Sequence, residues 1–280
     1  MSESLSATDA IGIKTCCARL YSNDWVRLLV GESLHPGGLE LTRRLGDLLG
    51  LVSGSELLDV ACGSGTSAFH LAHEFGCRVT GLDYGEDSVA AARKAAELRG
   101  LSARARFLTG DAERLPLPAA SFGAVICECA FCTFPDKPAA AREVFRVLRP
   151  GGRFGLADLV RSGPLPADLE GLLAWAACVA DARPVDDYRA TLEGCGFEVD
   201  MVEFHDQALS TLVDDIRRRL VGAQLASGLG KLELPRIDLA KASALARSAA
   251  RAIEDHRLGY ILLVATKPGH APTSARDRIA

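Results

Sequence analysis

Short apolar runs at 56–61, 78–82, 105–109, 122–127, 153–159 and 198–204, with a last one at 260–266, punctuate the chain. Each is rich in Val, Leu, Ile or Phe and several end in Asp or Gly, as strands covered on both faces do. Between them lie segments of helical period. One runs over 88–100, entered through Gly85-Glu86-Asp87 and stopped by Gly100, an acidic entry and a glycine exit. Another runs over 137–148 and stops before Arg149-Pro150-Gly151-Gly152, a turn that no helix continues through. The alternation over about 40–200 predicts βαβ units and a parallel sheet.

Two regions stand outside this rhythm. Residues 15–50 read as an N-terminal helical segment broken at His35-Pro36-Gly37-Gly38. Residues 207–256 read as a helical insert before the last strand, with apolar spacing of three and four over 208–225 and 239–253. The insert is either extra packing or a cap over a substrate pocket, and its place at the rim of the sheet favours the cap. The predicted organisation is therefore a helical segment or lid at 1–50, a core at 51–206 and 257–268, a cap at 207–256 and a loose tail at 269–280.

A chain of 280 residues with 48% apolar positions supports one large α/β domain with added elements. A net charge of −4 provides no basic field for nucleic acid. The first eleven residues lack the basic-then-apolar order of a signal peptide, and no apolar run approaches the ~18 residues of a membrane span. Nine unevenly spaced cysteines suit reduced thiols in a cytoplasmic protein better than a disulfide scaffold.

Three motifs carry chemistry. In 57–72, LLDVACGSGTSAFHLA, an apolar strand ends in Gly63-Ser64-Gly65 and a helix follows. Such glycines let the backbone turn sharply and let a ligand approach it closely. Alone the turn is weak, because dinucleotide-binding enzymes use a similar one. The next strand ends in Asp83, twenty residues after Gly63, where a carboxylate accepts both hydroxyls of a ribose. The third strand ends Gly110-Asp111-Ala112-Glu113, where an acid can accept the exocyclic amine of adenine.

With LLDVACGSG, GLDYGEDSV, GDAERLPLPAASFGAVICECAF and EVFRVLRPGG in that order and spacing, the chain resembles the class I S-adenosylmethionine-dependent methyltransferases over about 52–204 and the final strand. The resemblance implies a Rossmann-like α/β fold: a seven-stranded, mostly parallel sheet with helices on both faces, an N-terminal helical lid and a helical insert before the last strand. It implies S-adenosyl-L-methionine as cofactor, with Asp59, Ala61 and the loop from Gly63 to Gly65 at the methionine end. It places Asp83 and Tyr84 at the ribose, Asp111 and Ala112 at the adenine, and Cys127 of the fourth strand among the cofactor-binding residues.

The methyl acceptor is to be sought beyond the strand ends, where the chain reads Ile126-Cys127-Glu128-Cys129-Ala130-Phe131-Cys132. These thiols are small buried hydrophobes, a zinc site, or ligands for a soft centre such as trivalent arsenic. Cys-x-Cys-x-x-Cys lacks the paired units of structural zinc, so no metal cofactor is expected. Cys129, six residues before Pro135-Asp136-Lys137, is similar to the substrate cysteine of arsenite methyltransferases, and 173–192 is similar to that family's segment around a second arsenic-binding cysteine, here Cys178. The family's third cysteine falls at Ala68, so Cys62, Cys16 and Cys17 are the alternatives. The resemblance thus implies As(III) held by Cys129 and Cys178, with a thiol reductant as partner. Such a transfer needs little acid–base help. Glu128 and His35 are the nearby candidates for a general base. The competing readings are C- or O-methylation of a small organic metabolite, and a non-catalytic sensor of cofactor or metalloid.

Overall fold

The computed structural model of the chain describes residues 12, 14, 15, 35–165, 169, 179, 181–228 and 238–269. Seven strands form one sheet: β1 (Glu56–Val60), β2 (Arg78–Asp83), β3 (Ala105–Thr109), β4 (Phe122–Glu128), β5 (Leu148–Arg161), β6 (Glu198–Phe204) and β7 (Leu258–Thr266), in the order β3-β2-β1-β4-β5-β7-β6. All neighbours are parallel except β7, which runs antiparallel to both β5 and β6. The order reverses between β1 and β4, and the crevice at that switch point, at the strands' C-terminal ends, is where such sheets bind ligands.

Helices α1 (Gly38–Leu49), α2 (Thr66–Phe75), α3 (Glu86–Leu98), α4 (Lys137–Val147), α5 (Val185–Glu193), α6 (Asp206–Gly228) and α7 (Leu239–Glu254) cover the sheet. Leu45, Phe69, Val89, Val213 and Ile253, from α1, α2, α3, α6 and α7, share one core. Val144 and Leu192, from α4 and α5, share the other with Phe131, Phe154 and Tyr188. Local chemistry sets the helix ends. Gly65 and Gly76 bracket α2 with φ of 83° and 66°, left-handed values that glycine adopts without a Cβ penalty. The Asp136 carboxylate accepts the amide of Ala139 at 2.8 Å to start α4, and Pro138 sits in its first turn, where a missing donor costs nothing.

The seven-stranded, mostly parallel architecture read from the sequence is present, and element edges differ by a few residues. The largest difference is β5, which begins at Leu148 and contains the Pro150-Gly151-Gly152 turn. The Gly151 amide donates to Lys267 O and the Lys267 amide to Gly152 O, both at 2.8 Å, so the chain following β7 pairs with a segment that reads locally as a turn. Residues 16–34 of the predicted N-terminal segment lie outside the described residues, as do 170–178 of the stretch around Cys178. The insert forms an antiparallel helix pair. Leu209 and Val213 at the start of α6, with Ala249 and Ile253 at the end of α7, enter the core shared with Cys62 and Phe69. Further out, Leu220 and Ala246 make a small cluster of their own.

Candidate active site

The glycine loop is built from backbone. After β1, Ala61, Gly63 and Gly65 all have positive φ, at 61°, 54° and 83°. Gly63 faces open space, with nothing within 4 Å of where a Cβ would stand, whereas a Cβ on Gly65 would lie 2.8 Å from the Phe107 ring. Gly63 thus leaves room for a ligand and Gly65 makes room for the protein's own packing. The Gly63 amide donates to Asp83 Oδ2 and the Gly85 amide to Asp83 Oδ1, both at 2.8 Å. Each carboxylate oxygen keeps a further lone pair for a ligand hydroxyl. Burial raises the Asp83 carboxyl above its ordinary value, against the opposing pull of these two amides. Tyr84 follows, partly exposed.

Asp59 is buried in β1, opposite Gly81 on one side and Ile126 on the other. Its Oδ2 has no hydrogen-bond partner among the described residues. Burial pushes its carboxyl well above the usual range, and nearby Glu128 and Asp83 push it further. A buried orphan acceptor beside an open backbone loop fits a ligand that brings a cation and ribose hydroxyls. S-adenosylmethionine is such a ligand.

Asp111 and Ala112 lie past the end of β3, Ala112 buried and the Asp111 side chain partly exposed. Asp111 accepts the Glu113 amide at 3.0 Å and the Lys14 ammonium at 2.8 and 3.1 Å. Lys14 also reaches Glu113 at 2.5 Å. Nothing in the sequence pointed to Lys14, because an ion pair spanning ninety-seven residues leaves no local pattern.

At the switch point of the sheet, Glu128 closes β4 and Cys129 follows with φ of 52°, so the chain turns away from the sheet directly after the acid. The Thr42 hydroxyl, on α1, donates to Glu128 Oε1 at 3.0 Å and Oε2 at 3.2 Å. His35 Nε2 lies 3.3 Å from Thr42 Oγ1 and 3.8 Å from Glu128 Oε2. The sequence suggested His35 and Glu128 separately. Thr42, which joins them, looks in the sequence like an ordinary polar position of an amphipathic helix.

The cysteines separate. Cys127 is fully buried, its thiol pushed well above its usual value by burial first and then by Asp158, Asp59 and Glu128. It packs in the core with Val60, Leu82 and Ala112, so any part it takes at the cofactor falls to its backbone. Cys62 turns beneath the loop, where a Cβ on Gly81 would meet its sulfur at 2.8 Å, and burial raises its thiol strongly. Cys132 is buried, its amide held by Asp158 Oδ2 at 2.7 Å. Cys129 is half-buried, with its amide on Ala157 O at 2.7 Å. No two of the six described cysteines are joined to each other by a disulfide. Cys16, Cys17 and Cys178 lie outside the described residues. Among the described residues no cluster of three acidic, histidine or cysteine side chains is arranged to hold a metal ion, and no helix is long and apolar enough to cross a membrane.

Known proteins are similar to this chain in sequence and fold. Residues 58–156 match the family described as "Methyltransferase domain". The chain is 32% identical over 260 residues to the 27-O-demethylrifamycin SV methyltransferase of Amycolatopsis mediterranei, spanning 88% of this chain and 93% of that one. It is 30% identical over 191 residues to the arsenite methyltransferase of Halobacterium salinarum, spanning 67% of this chain and 49% of that one. Phosphoethanolamine N-methyltransferase 2 of Haemonchus contortus, solved in complex with S-adenosyl-L-methionine, superposes with a TM-score of 0.76 at 20% identity, over 91% of this chain and 60% of that one. With the motifs, the sheet order, the open glycine loop and a relative matched along nearly its whole length, the chain belongs to the class I S-adenosylmethionine-dependent methyltransferases.

Proposed function

We propose that the enzyme methylates a hydroxyl oxygen of a small organic molecule. The observation that carries this reading is the make-up of the methyl end. Glu128, Asp59, Thr42 and His35 gather there, while of the described thiols near it Cys62, Cys127 and Cys132 are all buried. Transfer to a hydroxyl releases a proton and calls for an acceptor. Transfer to the lone pair of As(III) releases none and calls for converging thiolates. The match along 93% of an enzyme named for an O-demethylated substrate supports the same reading.

The cofactor supplies an electrophilic methyl group on a sulfonium. Asp59 accepts its ammonium, the loop from Ala61 to Gly65 lies along its methionine moiety, Asp83 takes the ribose hydroxyls, and Asp111 with Ala112 meets the adenine. Lys14 lies against Asp111 and Glu113 beside the adenine, and the α6–α7 pair caps the acceptor, which enters from the strand ends. Fixing acceptor and methyl donor in line supplies much of the acceleration, up to about 7–11 kcal/mol by effective-molarity arguments.

The second reading is arsenite methylation through Cys129 and Cys178. It is favoured by the half-exposed Cys129 at the end of β4 and by the partial match to an arsenite methyltransferase. Incubation with methyl-labelled S-adenosylmethionine, in parallel with 27-O-demethylrifamycin SV and with arsenite plus thiol, separates the two. Label in an ether product supports O-methylation. Label in methylated arsenic, lost in Cys129→Ser, overturns it.

A further inference from the structure

We propose that Glu128 is the proton acceptor of the reaction, with Thr42 and His35 as its positioning residues. The proposal rests on the O-methylation reading and assigns the proton of that step. Glu128 is the last residue of β4, at the switch point of the sheet, and the left-handed turn at Cys129 carries the following backbone away from it. Its side chain is 5% exposed, that of His35 is 8% exposed, and Thr42 is fully buried. A carboxylate so deep needs hydrogen bonds to compensate for lost hydration. Among the described residues it has a single donor group, the Thr42 hydroxyl shared between its two oxygens. An ionised carboxylate offers about four acceptor positions, so capacity remains for a substrate hydroxyl.

The hydrogen-bond roles fix the direction of the triad. Thr42 has one proton, and with Glu128 3.0 Å away it points there. Its oxygen is then an acceptor for His35, whose Nε2 stands 3.3 Å away. Nδ1 of the same ring lies 3.3 Å from the Pro36 carbonyl, which can only accept. Both ring nitrogens thus face oxygens able to accept, and a ring that donates to both carries two N–H groups, the cationic form that pairs with Glu128 3.8 Å away. The other groups acting on the acid are Asp59 on β1 and the Cys127 thiol on β4.

In the step itself the acceptor oxygen bonds to the methyl carbon. The carbon–sulfur bond breaks with its electron pair remaining on sulfur, and the hydroxyl proton moves to a Glu128 oxygen. No redox change occurs and no co-reactant is needed. Thr42 keeps the carboxylate in one rotamer, and His35 holds Thr42.

Glu128→Gln tests the role, because it keeps shape and removes basicity. With 27-O-demethylrifamycin SV and a series of phenols of graded acidity as acceptors, the variant should lose about 10²–10⁴-fold in kcat on weakly acidic hydroxyls. It should recover toward the parent on phenols already ionised at the assay pH, and the acid limb of the kcat–pH profile should vanish. Calorimetric affinity for S-adenosylhomocysteine should not be lost. In the chain without cofactor, the ¹⁵N signals of the His35 ring should shift in Glu128→Gln and in Thr42→Val, and stay near the parent's in Thr42→Ser. If Glu128→Gln folds poorly, Glu128→Asp, which keeps the charge one methylene further back, should show reduced kcat with the pH limb intact. Equal loss on all phenols, an unchanged pH profile, or loss of S-adenosylhomocysteine binding with kcat preserved would overturn the proposal. A parent enzyme that methylates arsenite and none of the hydroxyl acceptors would instead overturn the O-methylation reading, before any variant is made.

Discussion

The Gly63 amide donates to the Asp83 carboxylate at 2.8 Å, so the acid that ends β2 also fixes the loop that ends β1. Asp83→Ala therefore removes two things together: an acceptor for the ribose and a brace for the loop. Loss of one charge-assisted hydrogen bond costs about 1.5–3 kcal/mol. Calorimetric titration with S-adenosylhomocysteine should show at least that loss. Asp83→Asn, which keeps one acceptor, should lose less.

Asp59 makes opposite predictions for the empty and the loaded enzyme. Its carboxyl is raised, chiefly by burial and then by Glu128 and Asp83. A folded-state value above the unfolded one means that the folded chain holds this proton more tightly. Its contribution to stability is full below the unfolded value and is lost as pH rises through the folded value. Asp59→Asn should therefore raise the melting temperature of the cofactor-free enzyme at neutral pH and flatten its pH dependence. It should also weaken cofactor binding. In the parent, binding of a cationic ligand favours the ionised acid, so affinity should climb with pH and binding should release protons, read as a dependence of calorimetric heat on the buffer's ionisation enthalpy.

The two loop glycines should fail differently. Gly63→Ala meets no neighbouring atom and pays only for its φ of 54°, about 1–2 kcal/mol. It should fold, melt slightly lower and bind cofactor poorly. Gly65→Ala adds a contact of 2.8 Å with Phe107 to a φ of 83°, and overpacking of this kind costs about 1–3 kcal/mol further. Thermal melts of the two variants without cofactor should rank Gly65→Ala clearly below Gly63→Ala.

Cys127 and Cys129 serve as a matched pair. Cys127→Ser puts a hydroxyl into an apolar core and should cost about 1–3 kcal/mol of stability, with activity per folded molecule retained. Cys129→Ser should leave stability nearly unchanged, since the side chain is only half-buried. Denaturant melts and turnover measured side by side check both, and loss of ether product in Cys129→Ser would give that thiol a part in O-methylation.

What the sequence determined by itself was whatever is local. The strand and helix rhythm, the glycine loop, and Asp83 and Asp111 at strand ends all follow from short-range rules: period, caps, and glycine where φ is positive. Those rules act within a few residues, so the sheet, the helices and the family were legible before any coordinate. Tertiary structure decided what depends on residues far apart. β5 runs through Pro150-Gly151-Gly152 because Lys267 pairs with it from beyond β7. Three cysteines near the end of β4, with Cys62 in the glycine loop, invited a soft-centre reading, yet which thiols reach the mouth depends on strand faces and on the space beside Gly81, and Cys62 and Cys127 turn inward. Glu128 and His35 stand ninety-three residues apart, and only the packing of α1 against the sheet, with Thr42 between them, makes them one group. Local propensity sets where a side chain leaves the backbone. Burial and long-range packing set what it meets, and here that meeting is what the chemistry requires.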